Sequence, residues 1–270
     1  MPAKPTPRTI ASEIKRGLRR IADQQVAERG RAFFKEPVRL MGVRAADMHR
    51  IAREVYVRVR SHWQLEQAVS LCDLLLPDGR FEVRAVAILL CERFSQSFRK
   101  SLFVKAQQWI EAGYCDSWGM VATICPCVLG PLIARYPELS ARTRRWTRSA
   151  NRWLRRAAAV SFVKLARRGK HLDEAYDIAG RLLADPDDLV RKATGWLLRE
   201  AGRTDHTLLE AFVREHGRKC SRTTLRYAIE HFPEPSRKQI LHETRKSPSP
   251  FSRDSKRSAL APRRSSSSRG

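Results

Sequence analysis

The sequence predicts an all-α protein, a HEAT-like helical-repeat solenoid that curves around a partner, and three observations carry that expectation. Between Thr9 and Arg245, apolar residues recur at spacings of three and four, the period of an α-helix that buries one face. The periodic segments are joined by short connections rich in Gly, Pro, Asp and Asn, which sets successive helices antiparallel and adjacent. No alternating apolar and polar run competes as a strand. Helix pairs recurring at roughly 35 to 45 residues match a HEAT-like period, although no sequence letters repeat, and a compact helical bundle would share the pattern.

Taken in order, residues 1–8 hold three prolines and predict a flexible lead-in to a helical-repeat domain over 9–245. Ile10, Ile14, Leu18 and Ile21 then mark the apolar side of a first helix whose outer face carries Lys15, Arg16, Arg19 and Arg20. The stretch from Phe33 to Val43 is interrupted by Pro37 and Gly42 and reads as an apolar linker belonging to the core. A second helix runs from Arg44 to about Arg60. Helical periods follow at about 63–76, 80–97, 101–112, 117–133, 137–148, 151–168, 171–184, 187–201, 204–216, 220–232 and 234–245. Residues 246–270 are dominated by Ser, Pro and basic side chains that cannot bury a core, and predict a disordered basic tail.

Charge narrows the class of partner. With 53 Lys and Arg against 28 Asp and Glu, the formal net charge is +25. Such an excess calls for a polyanion, and nucleic acid ranks above a membrane because no long lipid-facing amphipathic segment accompanies it. No run of eighteen apolar residues occurs, and the first residues lack the apolar stretch of a secretory signal, which predicts a cytoplasmic, nucleoid-associated monomer. Six cysteines are scattered, and Cys125-Pro126-Cys127 lacks the two-residue spacing of zinc pairs, so they read as reduced thiols in helix packing. No metal site and no cofactor are expected: the Gly-rich phosphate loop, the His-Glu zinc motif and the nucleophile elbow are all missing.

Three helical segments carry the residues suited to nucleic acid. In 117–133, Trp118 and Ala122 stand four apart and share one face. In 151–168, Arg152 and Arg156 form a basic flank beside an apolar root of Trp153, Ala157 and Val160. In 187–201, Lys192, Trp196 and Arg199 fall at i, i+4 and i+7, laying an indole between two cations. Cations hold phosphate and aromatic rings touch sugar or base, so this interleaving predicts a double-stranded DNA partner. An RNA-binding or scaffold solenoid would carry the same charge.

The runs Trp153-Leu154-Arg155-Arg156-Ala157-Ala158 and Gly195-Trp196-Leu197-Leu198-Arg199-Glu200, with Phe33 to Val43 and Ser117 to Gly130, resemble the AlkD-like DNA alkylation repair family, HEAT-like-repeat DNA glycosylases, over roughly 10–235. The resemblance implies a concave basic groove that grips alkylated or distorted duplex DNA and excises cationic N3- or N7-alkylpurines by hydrolysis. It implies that Trp118 and Trp196 contact the deoxyribose of the lesion and that Arg156 lies at the backbone beside it. The family's catalytic aspartate falls four residues after the first tryptophan, where this chain has Ala122, and the acidic residue often found directly after that tryptophan is Gly119. A methyl group can neither stabilise charge developing on the sugar nor orient water. Two readings stay open on the sequence: a glycosylase with altered catalysis, or a DNA-binding member without hydrolysis. Among substitutes from other helices, Glu200 and Glu82 are the carboxylates to consider, while Asp116 would lie about 120° round the helix from Ala122.

Overall fold

The computed structural model describes residues 5–245 and is built from helices without named strands among those residues. In chain order these are α1 (Pro7–Arg20), α2 (Gln24–Arg31), α3 (Ala45–Val59), α4 (Leu65–Leu75), α5 (Phe81–Glu92), α6 (Lys100–Glu111), α7 (Trp118–Ile124), α8 (Gly130–Arg135), α9 (Leu139–Trp146), α10 (Arg152–Ala166), α11 (Leu172–Leu182), α12 (Asp188–Gly202), α13 (His206–His216), α14 (Arg222–Ala228) and α15 (Glu234–Glu243). Sequence chemistry fixes many of the starts. Thr6, Asp23, Ser117, Asn151, Asp187, Asp205 and Ser221 each accept backbone N–H bonds from the first turn of the helix they precede.

The helices stack in two layers. α3, α5, α7, α10, α12 and α14 pack successively against one another, while α4 lies on α5, α11 on α10 and α12, and α13 on α12. This is the stacked-pair architecture that the short connections predict, in an all-α helical-repeat protein.

One close approach sets the spacing at the site-bearing end. A Cβ on Gly195 of α12 would lie 2.4 Å from Tyr227 Cβ and 2.6 Å from the Thr224 carbonyl oxygen of α14. Only a residue without a side chain lets these two helices meet so closely.

Three sequence expectations are corrected. Helix α1 starts at Pro7, which suits the first turn of a helix, and the Pro5 carbonyl accepts a bond from Trp63 Nε1 at 2.8 Å, so residues 5–8 belong to the folded unit. Helix α2 escapes the periodicity reading because Ala27 is its one buried residue. Ile21, placed on the apolar side of the first helix, caps it in an exposed position. The Ser/Arg-rich segment at 246–270 lies outside the described residues.

The segment Trp118–Arg135 is one continuous helical run with a mean hydropathy of 1.4, long and apolar enough to cross a membrane by length and composition. It is instead a central core element, packed against α5, α6 and α10. Pro126 has no N–H to offer the carbonyl four residues back, and a π turn at Cys125–Leu129 takes up the mismatch, with the Gly130 N–H closing on the Cys125 carbonyl. All six cysteines are buried and free. Burial pushes the Cys125 thiol up to about 12 and the Cys220 thiol to about 11, as suits packing residues rather than nucleophiles.

Candidate functional site

A cavity of about 360 Å³ opens where the N-terminus of α7, the faces of α10 and α12, Tyr227 of α14 and the loop after α2 converge. Its lining includes Trp118, Ala122, Arg156, Lys192, Trp196 and Arg199, so five of the six residues singled out by helical spacing meet there around the alanine. Arg152 does not line it. Its guanidinium lies 4.4 Å from the centre of the Trp153 ring and 3.2 Å from an oxygen of Asp187, on the outside of the start of α10.

The aromatic wall is built by α7 and the loop after α2 together. Trp118 stacks on Phe34 at 5.1 Å between ring centres, and its indole Nε1 donates to the Phe33 carbonyl at 3.1 Å. Phe34 also packs against Phe81 at 5.8 Å. These rings explain Gly119, because a Cβ there would stand 2.9 Å from the Phe81 ring and 3.3 Å from Phe34. The loop is fixed at its far end by Glu82, whose carboxylate accepts the backbone N–H groups of Met41, Gly42 and Val43. Far from forming an ordinary core linker, this stretch presents Phe33, Lys35 and Glu36 to the cavity, with Phe33 76% exposed.

The basic residues differ in how they are engaged. Lys192 pairs with Asp188 at 2.9 Å, and Arg199 is held by Glu230 and lies 3.4 Å from Glu200. Such partly exposed pairs are worth little in water. Arg156 is only 5% exposed. It donates to the Leu189 carbonyl, its Nε has no partner, and burial holds its pKa below the usual arginine value, a loss only partly countered by the nearby Cys125 and Glu36. A buried guanidinium without a carboxylate partner in a cavity lining has hydrogen-bonding capacity that an anion could use.

The acidic residues resolve just as plainly. Asp116 pairs with Arg84 at 2.9 Å, Glu82 is committed to three amides, and Glu200 is surrounded by Arg167, Arg199 and Arg203. None of the three lines the cavity. Glu36 does, and it had not been singled out. It is 8% exposed, one oxygen accepts the Trp118 backbone N–H at 3.1 Å, and the other is buried without a partner. The one signal within reach was its place in the Phe33–Val43 stretch, which has no period to fix its direction.

A family model described as DNA alkylation repair enzyme matches residues 14–232. The chain belongs to that family. Among solved structures, a predicted DNA alkylation repair enzyme from Enterococcus faecalis superposes with a TM-score of 0.68 at 18% identity, covering 79% of this chain and 97% of that one, which supports the shared fold. No curated protein matches the sequence. Membership places the cavity in a DNA alkylation repair protein, and the resemblance read from Gly195-Trp196-Leu197-Leu198-Arg199-Glu200 falls within the matched span.

Proposed function

We propose that this DNA alkylation repair protein binds damaged duplex DNA across the cavity and excises cationic N3- or N7-alkylpurines by hydrolysing the N-glycosidic bond. The observation that carries the reading is the convergence of two half-buried tryptophans with a buried, unpaired guanidinium. In this reading Trp118 and Trp196 flank the deoxyribose of the lesion, Arg156 takes the adjacent phosphate, and Lys192 and Arg199 exchange their carboxylates for backbone phosphates. Arg152, on the outside of α10, meets the backbone further along. The chain acts as a monomer without metal or cofactor, in the cytoplasm at the nucleoid, and residues 5–245 form the binding unit.

The substrate's own chemistry supports excision. A cationic purine leaves as a neutral base, so the site needs to stabilise charge on the sugar rather than protonate a leaving group. Ala122 supports a second reading, in which the protein binds alkylated DNA without cleaving it.

Trp196→Ala separates lesion contact from general grip. Loss of an aromatic face against sugar or base costs ~1–3 kcal/mol, so affinity for duplex carrying 7-methylguanine falls roughly 5- to 150-fold. Affinity for the undamaged duplex stays nearly unchanged in a competition titration. Equal losses on both DNAs would make Trp196 a packing residue and remove it from the site.

A further inference from the structure

We propose that Glu36 is the catalytic carboxylate of this cavity, supplying from the loop after α2 the charge that Ala122 does not supply from α7. The inference rests on the excision reading above.

Three observations place the group. First, one Glu36 oxygen accepts the Trp118 N–H in the first turn of α7, which fixes the side chain beside the tryptophan that lines the cavity. Second, the other oxygen is buried with no partner although the side chain is more than nine-tenths buried, and it belongs to a residue lining the cavity. Glu200 Oε2 is likewise without a hydrogen bond, but arginines lie 3.4–3.7 Å from it and it does not line the cavity, whereas Glu36 does. Third, Glu82 is committed to backbone amides, Asp116 pairs with Arg84 and Glu200 lies among arginines, while Glu36 forms no ion pair with Arg156, whose Nε is also unpartnered. Among the described residues the cavity lining therefore includes a guanidinium, Arg156, with no carboxylate partner and a carboxylate, Glu36, with no cation partner, the first suited to phosphate and the second to a sugar that becomes positive.

The chemistry balances without a co-reactant other than water. The bond between C1′ and the purine nitrogen breaks, and its electron pair passes to the ring, cancelling the base's formal positive charge. Positive charge grows on the deoxyribose, where the free Glu36 oxygen opposes it. Water adds to C1′, its proton passes to the Glu36 carboxylate, and the products are a neutral alkylpurine and a sugar bearing a new hydroxyl. The proton then leaves Glu36 to solvent, restoring the carboxylate.

The test is single-turnover release of 7-methylguanine from duplex DNA by wild type, Glu36→Gln, and Glu36→Gln combined with Ala122→Asp. Glutamine keeps the acceptor for the Trp118 N–H and the side-chain volume, so thermal melting and duplex affinity should match wild type. The release rate should fall by at least ~100-fold. A carboxylate returned at position 122 should recover at least ~tenfold of that loss. A Glu36→Gln rate within about threefold of wild type overturns the role of Glu36 and leaves excision standing. If wild type itself gives no release above the spontaneous rate, excision fails and the role of Glu36 falls with it. Parallel loss of duplex binding, with no recovery from Ala122→Asp, makes Glu36 a cap on α7 and likewise overturns the inference.

Discussion

Arg156→Met lowers affinity for duplex DNA by roughly 30-fold, about 2 kcal/mol, and makes the log–log dependence of affinity on salt shallower by about one unit. Methionine fills much of the same volume, so the change removes charge and donors more than packing. The size of the effect follows from the state of the guanidinium before DNA arrives. Its burial cost is already met by the fold, and a phosphate supplies the anionic partner that the guanidinium lacks. Lys192→Ala changes affinity less, because Lys192 must first give up Asp188. Fluorescence anisotropy over a range of salt concentrations reads both quantities. An unchanged slope for Arg156→Met would place the phosphate elsewhere.

Gly195→Ala destabilises the protein by about 3 kcal/mol, against the expectation from helix propensity, which favours alanine by ~1 kcal/mol in a helix interior. The added methyl meets backbone and a Cβ, neither of which can rotate aside, so α12 and α14 must separate. Overpacking of this kind exceeds the propensity gain. Because Tyr227 of α14 lines the cavity, lesion binding weakens along with stability. Urea unfolding with an unchanged m-value measures the first effect. An alanine variant as stable as wild type would show that the contact relaxes freely.

What the sequence made legible follows from periodicity. Trp118 with Ala122, and Lys192 with Trp196 and Arg199, could be set on one face because each set lies within a single helix of known pitch, and the structure places them on one cavity. Arg152 was assigned to the same flank as Arg156 by the same rule. One turn of helix separates a buried side chain from an exposed one, and the Trp153 ring and Asp187 hold Arg152 outside.

Glu36 was illegible for a different reason. Its partner Trp118 lies 82 residues away, the loop between Phe33 and Val43 has no period, and its course depends on Glu82 gathering three amides from another part of the chain. The sequence thus revealed the absence of an acid at Ala122 but not the one brought in from elsewhere. The consequence for function is direct. A site that looked stripped of its carboxylate on α7 contains one on the neighbouring loop.

The central claim, that this cavity excises alkylated purines, is tested most directly by mixing wild-type protein in excess with duplex DNA carrying one 7-methylguanine and following the free base in a single turnover. The account predicts release at least ~100-fold above the rate for the same DNA without protein, a barrier lowered by about 3 kcal/mol or more. Saturating binding with release no faster than the spontaneous rate would contradict it and leave a protein that holds alkylated DNA without cleaving it.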